Sequence, residues 1–221
     1  MKKNIVLVSF CLFFPLANVI AADGAKVDID VHASTLGYGA GFAIPVTENI
    51  SGRLNINKYS YNYDNTSESV DYKASLKLET IGALVDWHIF SGVTHLTAGA
   101  YINNNEISMT ATPSAGSKYT YNGVTYDASV VGSASATVTF NKVAPYLGIG
   151  WSGRASKTGF SFKSDLGVMY HGAPKAKLSA TGAAGSSQLA ADLAAEETKM
   201  NNSLSSFNWW PVISVGMGYA F

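Results

Sequence analysis

The segment from Trp209 to Phe221 alternates two kinds of side chain with a period of two, and this pattern constrains the fold most. One face carries Trp209, Pro211, Ile213, Val215, Met217, Tyr219 and Phe221, and the other carries Trp210, Val212, Ser214, Gly216, Gly218 and Ala220. A period of two is that of a β-strand, and these two faces suit a narrow barrel with lipid outside and little space inside. A half-buried strand of a soluble sheet has the same period. The small residues of the second face and the final aromatic residue favour the barrel.

The same alternation recurs in earlier segments, which include Ile81–Ile89, Leu96–Ile102, Pro145–Trp151 and Phe160–Tyr170. Counted back from the last strand, the pattern gives six crossings, the first of which begins near Ile50. Segments of this length suit a tilted crossing of a bilayer.

An even number of strands requires two more within Val27–Ile44. The apolar residues change phase there, which a tight turn at Ala33–Thr35 or a bulge in one long strand would explain. We expect the turn, because seven strands would leave the N-terminus on the wrong side of the membrane. The sequence therefore predicts an all-β fold, an eight-stranded antiparallel transmembrane β-barrel with short periplasmic turns and long extracellular loops.

The N-terminus has the features of a secretory signal peptide. Lys2 and Lys3 precede an apolar core over Ile5–Leu16, and small residues follow, so we expect cleavage after Ala21 or Ala22. The core is shorter than the roughly 20 apolar residues of a spanning helix. We therefore expect residues 1–21 to be a signal peptide and residues 22–221 a barrel in the outer membrane of a Gram-negative bacterium.

The composition excludes several classes of function. Cys11 is the only cysteine and lies in the signal peptide, so the mature chain can form neither disulfides nor cysteine metal sites. Without Lys2 and Lys3, 13 basic residues stand against 15 acidic ones, and no basic surplus indicates a nucleic-acid partner.

The expected partners are outer-membrane lipid, lipopolysaccharide and, through the C-terminal strand, the barrel-insertion machinery. The oligomeric state stays open, and no cofactor is expected.

The connections between the crossings are of two kinds. Short ones lie at Pro45–Asn49, Phe90–Val93 and Ser152–Thr158, and long polar ones at Asn62–Asp71, Asn104–Ala136 and Gly172–Ser206. Within the long ones, Tyr121-Asn122-Gly123-Val124 predicts a hairpin. Ser187–Met200 has a helical stripe that Ser187 can cap, and a disordered loop is the alternative.

Aromatic residues near the strand ends are typical of a membrane girdle and, at the C-terminus, of an insertion signal. These residues are Trp87, Trp151, Phe160, Trp209, Tyr219 and Phe221.

Three blocks of sequence resemble a known family. They are Asn141–Gly150, then Gly172–Lys175 with Leu178, and then Glu196-Glu197, Asn201, Trp209–Val212 and Gly216–Phe221. In order and spacing they are similar to the small outer-membrane barrels typified by the carbapenem-susceptibility protein, which has been proposed to be an ornithine porin. The resemblance covers most of the mature chain and implies a barrel. Its motifs are structural, so it transfers no ligand-binding residues.

By strand parity, a set of polar side chains should face the lumen. They are Arg53, Asp86, His88, His95, Tyr101, Tyr146, Lys163, Asp165 and His171, with Lys77 and Glu79 near a change of phase. One interpretation is a structural network that neutralises buried charge in a barrel whose interior is nearly filled. The other is a narrow polar path with a local field.

Catalysis and metal binding have little support. His32-Ala33-Ser34 has the residue types of a membrane-edge hydrolase, but the pattern fits a turn equally well and offers no oxyanion site. The four histidines show no ligand spacing. We therefore expect no enzyme and no metal site.

The leading functional hypothesis is a narrow channel for passive passage or binding of small polar solutes. The alternative is a non-transporting barrel whose extracellular loops serve surface interaction or envelope integrity.

Overall fold

The structure is a computed structural model that describes residues 27–67, 70–89, 92–113, 116–152 and 158–221. The expected signal peptide lies outside the described residues, as do parts of the short connections after residues 89 and 152.

The described strands are β1 (Asp28–Ser34), β2 (Gly37–Pro45), β3 (Ile50–Ser67), β4 (Val70–His88), β5 (Thr94–Asn103), β6 (Glu106–Pro113), β7 (Lys118–Tyr121), β8 (Val124–Asp127), β9 (Ala134–Thr139), β10 (Val143–Trp151), β11 (Gly159–Tyr170), β12 (Lys175–Ala180) and β13 (Trp209–Ala220). The described helices are α1 (Ala128–Val131) and α2 (Ser187–Leu204), with a 3-10 turn over Thr181–Gly185 before α2.

Eight strands close into a barrel in the order β1-β2-β3-β4-β5-β10-β11-β13, and every neighbouring pair is antiparallel. The strand β13 closes the ring because it pairs on both sides. Its Gly218 lies opposite Asp30 of β1 and opposite Ser161 of β11. The prediction of an eight-stranded antiparallel barrel is confirmed. We call the end with the short turns, where Phe221 lies, the lower end of the barrel.

Residues 27–44 form two strands, as the change of phase predicted. The turn lies at Thr35–Leu36, slightly later than predicted. The Ser34 hydroxyl supports it, because Oγ accepts a hydrogen bond from the Leu36 N–H at 3.1 Å and donates to the Gly37 carbonyl at 3.0 Å. Leu36 therefore does not continue the outer face of β2. It turns into the barrel and is 1% exposed.

The predicted polar loop at Asn62–Asp71 is wrong. The strands β3 and β4 continue through it as paired strands from the Lys58–Glu79 pair up to the Ser67–Val70 pair. Likewise, the long connections from Asn104 and from Gly172 contain β6, β9 and β12. These strands extend the wall in the order β3-β4-β6-β9-β12. We call this extension above Lys58 the upper sheet.

The polarity of the wall inverts at the base of the upper sheet. In the barrel, β3 carries Leu54 and Ile56 on its outer face and Asn55 and Asn57 inside. Above Lys58 the same alternation places polar residues outside and tyrosines inside. This inversion is the change expected where a wall leaves hydrocarbon and enters water.

The prediction that Lys77 and Glu79 face the lumen is wrong. The strand β4 keeps one phase throughout, so both residues lie on the outer face with Ile81 and Val85. The Lys77 side chain is exposed and the Glu79 side chain is partly exposed, and Lys77 Nζ lies 3.4 Å from Glu79 Oε2. Charges occupy this face because it no longer contacts an apolar medium.

The remaining elements pack on one end of the inner face of the upper sheet. Val131 of α1 and Leu189 and Leu193 of α2 form a buried cluster there, against Leu178 and tyrosines of the β7–β8 hairpin. We call α1, α2 and this hairpin the cap. The structure contains both the predicted hairpin, with φ values of 51° at Asn122 and 82° at Gly123, and the predicted helix. Its N-cap is Ser186 and not Ser187, since Ser186 Oγ accepts from the Leu189 N–H at 3.3 Å.

No helix in the described part of the chain combines the length and the apolar character needed to cross a membrane.

Candidate functional site

The barrel interior collects the charged residues that parity had assigned to the lumen, and Arg53 is the centre of one group. Its Nε lies 2.9 Å from Asp86 Oδ2, and its Nη1 donates to Asp165 Oδ2 at 3.0 Å. The Thr97 hydroxyl donates to Asp86 at 2.7 Å, and His95 Nε2 lies 3.2 Å from Asp165 Oδ1. Because each ion is buried, it needs these partners to offset the loss of water. We call Arg53, Asp86 and Asp165 the arginine cluster.

A second group lies around Lys163 and contains residues that the sequence had not assigned to the lumen. Lys163 Nζ donates to Asp28 Oδ1 at 2.6 Å and to Asp30 Oδ2 at 3.3 Å. Asp30 Oδ1 lies 2.7 Å from His32 Nδ1, and His32 Nε2 lies 2.8 Å from Asn57 Oδ1. The alternation of Asp28, Asp30 and His32 with apolar residues on β1 was the signal that could have identified them. All the buried charges of this group are therefore paired.

An apolar layer closes the barrel above the ionic groups. Tyr101 and Tyr146 meet edge to face, with ring centroids 5.5 Å apart. They pack with Leu36, Leu84, Ala144, Met169 and Val212, and Trp210 covers the cluster. We call this layer the plug. It follows from the narrow radius of an eight-stranded barrel, whose interior side chains can fill.

The cavity that remains beside the plug is small. Its volume is about 20 Å³, and residues of both ionic groups and of the plug line it, among them Asp30, Asn55, Tyr101 and Lys163. A site needs ~10–15 Å³ to hold one water molecule. The cavity therefore has room for about one water and not for an organic solute.

Inward-facing glycines allow this dense packing. A Cβ atom at Gly150 would lie 2.4 Å from His95 Nε2 and 2.7 Å from Asp165 Oδ1. A Cβ atom at Gly39 would lie 2.3 Å from His32 Nε2. Any larger residue at these positions would displace the charged groups, so the small inner face is a requirement of the network.

The other predicted lumen residues lie at the two ends of the interior. At the lower end, the rings of His88 and His95 are tilted, with centroids 5.2 Å apart. His171 lies just beyond β11 and contacts Phe140 edge to face at 4.8 Å. The arginine cluster thus contains Arg53, Asp86 and Asp165 of the predicted set, whereas His88 and His171 lie apart from it.

The aromatic residues predicted as a girdle lie on the outer face in two bands. Trp87, Trp151, Phe160, Tyr219 and Phe221 lie at the lower end, where Phe160 and Tyr219 contact each other at 4.8 Å. Trp209 lies at the upper end of β13 against Tyr170, also at 4.8 Å. Ten residues of a strand tilted by about 40° span about 25 Å, which is the height of the apolar band of outer-membrane barrels.

Ser34 and His32, the candidate hydrolase pair, do not contact each other among the hydrogen bonds of the described residues. The Ser34 hydroxyl supports the β1–β2 turn and reaches Asn57 Oδ1 only at 3.5 Å, while His32 contacts Asp30 and Asn57. Among the described residues, no group of three or more histidine, cysteine, aspartate or glutamate side chains could hold a metal ion.

A separate polar cluster holds the elements of the cap together. The Asp192 carboxylate accepts hydrogen bonds from Asn122 Nδ2 and Gln188 Nε2, both at 3.1 Å, and from the Tyr126 hydroxyl. The hydrogen bond with Asp192 raises the pKa of Tyr126 to about 12, and the three donors, Tyr126 first, lower the pKa of Asp192. Lys199 Nζ also donates to Asn122 Oδ1 at 2.8 Å. These bonds join α2 to the β7–β8 hairpin.

The fold is similar to solved outer-membrane barrels. CarO2 of Acinetobacter baumannii aligns with a TM-score of 0.57 at 19% sequence identity, over 89% of this chain and 98% of that one. CarO of the same organism aligns with a TM-score of 0.55 at 20% identity, over 88% and 97%. CarO is the carbapenem-susceptibility outer-membrane protein, so the resemblance of the sequence blocks is confirmed at the level of the fold. No protein-family model matches the sequence, and no curated protein matches it either.

Proposed function

We propose that this protein is a non-conducting barrel of the bacterial outer membrane that serves surface interaction through its upper sheet and cap. The observation that carries the proposal is the filled interior. The arginine cluster, the Lys163 group and the plug lie in the barrel interior, and the cavity that residues of all three line has a volume of only about 20 Å³.

The outer face supports the membrane location. Leu147, Ile213 and Met217 are each more than half exposed on the barrel wall, and water would not favour so continuous an apolar band. The two aromatic bands lie at a separation that suits the hydrocarbon core. By the usual orientation of this fold, the lower end faces the periplasm and the upper sheet lies outside the cell.

Passive passage of small polar solutes is the competing function. It would require the plug to move, because the Tyr101 and Tyr146 rings meet across the interior above the charged groups. It would also require a path past Arg53, which both Asp86 and Asp165 hold. Two obstacles in series make the non-conducting function the better supported one.

Solute flux tests the proposal. Purified protein is reconstituted into liposomes, and swelling is recorded in glycine, arabinose and ornithine, with a known porin as the positive control. We expect swelling no faster than that of protein-free liposomes. Swelling above that background, from protein shown to be folded and inserted, would refute the non-conducting function.

A further inference from the structure

The inner face of the upper sheet is only partly covered. Cross-strand rows run across it, one of them Tyr61–Leu76–Ile107–Val138–Ala176. The cap packs on the end of this face that β9 and β12 form. Tyr61, on β3 at the other end, is 54% exposed, and Met109, on the middle strand β6, is 47% exposed. An apolar sheet face that its own chain covers at one end and leaves open at the other is typical of an interaction site.

The two lateral edges of the upper sheet differ. The β12 edge is sealed by α2, because Asn201 Oδ1 accepts from the Ala176 N–H at 2.8 Å and Asn201 Nδ2 donates to the Ala176 carbonyl at 3.1 Å. Glu197 Oε2 also accepts from the Leu178 N–H at 2.9 Å. These bonds satisfy backbone groups that an edge strand otherwise leaves open to pairing.

The β3 edge has no such cover within the described residues. Its partner β2 pairs only up to Tyr38, opposite Lys58, and β3 continues above that point to Ser67. From there upward β3 pairs on one side, with β4. The open edge therefore begins directly above the end of β2 and lies beside the exposed tyrosines.

The register shows which backbone groups face the open edge. The Glu79 N–H donates to Asn105 and the Glu79 carbonyl accepts from the Asn104 N–H, so the backbone of Glu79 points away from β3. Because antiparallel pairs alternate, the backbone of Lys58, opposite Glu79, points away from β4. By the same alternation, Ser60 and the even-numbered residues above it direct N–H and C=O groups toward the open edge.

We propose that this edge binds an extended peptide segment of a partner protein, which adds a strand in the place that β2 vacates. This inference rests on the proposed surface-interaction function and names its site. Backbone groups in strand register recognise another strand, which distinguishes a peptide from a lipid or a sugar. The added strand would run antiparallel to β3, as β2 does.

The two faces of β3 define the chemistry of the partner. Alternate side chains of the added strand would lie beside Tyr61 and Tyr63 on the inner face, and these should be apolar. The intervening side chains would lie beside Ser60, Asn62 and Asp64 and should be polar. A basic residue of the segment opposite Asp64 would match its charge. The segment ends opposite Ser60, because β2 already lies beside Lys58 and Tyr59.

The test uses a labelled heptapeptide probe with the sequence Thr-Val-Lys-Val-Thr-Val-Thr, which would span Thr66 to Ser60 with its lysine opposite Asp64, and the full protein in detergent or nanodiscs. A second probe, Val-Thr-Lys-Thr-Val-Thr-Val, has the same composition and the same lysine position but places its apolar residues on the other face. We expect the first probe to bind at least about tenfold more tightly, by fluorescence anisotropy up to about 1 mM peptide.

The variant Ser60→Pro removes one N–H from the open edge and none from the β3–β4 ladder, since proline is tolerated at an edge. We expect it to weaken binding of the first probe at least about tenfold, whereas the matched variant Ser60→Thr binds as the wild type does. Absence of binding, equal binding of both probes, or undiminished binding by Ser60→Pro would overturn strand addition. Liposome swelling tests the non-conducting function independently, so either idea can fail without the other.

Discussion

Replacement of Arg53 with leucine should destabilise the barrel strongly. The guanidinium holds Asp86 and Asp165 with N–O distances of 2.9 to 3.0 Å, and all three side chains are at most 9% exposed. Removal of one partner from a buried ion pair costs roughly 3–5 kcal/mol. In Arg53→Leu, Asp86 keeps a bond from Thr97, and Asp165 keeps its contact with His95. We therefore expect a loss of about 4 kcal/mol in the free energy of unfolding, the middle of that range.

The assay is equilibrium unfolding in guanidinium with the barrel in lipid vesicles, followed by tryptophan fluorescence. A matched control is Lys77→Leu, which removes an exposed cation that lies 3.4 Å from Glu79. Exposed pairs contribute less than about 1 kcal/mol, so the control should unfold near the wild type. Addition of Asp86→Asn and Asp165→Asn to Arg53→Leu should restore about 2 kcal/mol, because no buried charge is then left unpaired. If Arg53→Leu alone stays within about 1 kcal/mol of the wild type, the arginine cluster does not have the role assigned to it.

Three further outcomes are expected. Gly150→Ala should lower the free energy of unfolding by about 1–3 kcal/mol, because the added Cβ atom overpacks against His95 and Asp165. The control Gly52→Ala should change it little, since a Cβ atom there meets nothing closer than 4.0 Å. Equal effects of the two variants in the same unfolding assay would contradict the close contact at Gly150. Asn201→Ala should speed amide hydrogen exchange along the β12 edge, and unchanged exchange would show that α2 does not seal it. Because the pKa of Tyr126 is raised, this tyrosine stabilises the cap fully below the ordinary tyrosine pKa of about 10, and its contribution is lost as the pH rises through about 12. Because the pKa of Asp192 is lowered, this carboxylate stabilises the cap above about pH 4, and its contribution is lost as the pH falls below that value. A pH titration at 295 nm should lose a tyrosine that ionises at about pH 12 in Tyr126→Phe, and an unchanged titration would contradict the bond.

Alternation predicted the barrel well because the two faces of its wall meet very different media. On β13 the contrast between Met217 outside and Gly218 inside is large, and the same holds for Leu147 and Gly148 on β10. Above the membrane this contrast fails. The sequence predicts a loop from Asn62 onward because Asn62 and Asp64, polar residues on the outer face of a strand in water, do not differ from loop residues.

The side-chain contacts inside the barrel cannot be predicted from the two-residue alternation of the strands. Parity placed Arg53 and Asp165 in the lumen, but their direct pairing joins residues 112 positions apart and depends on the stagger of the strands. Asp28 and Asp30 had the correct parity and were overlooked, because the first strand had been assigned from its apolar residues alone. The fit of Asn201 to the β12 edge depends on where α2 packs, which the sequence of the helix does not define.

Single-channel recording in planar bilayers tests the central claim, the closed interior, most directly. Wild-type protein, with insertion verified by protease protection, should give no conductance steps above the membrane baseline. Regular conductance steps from the wild type would contradict the account.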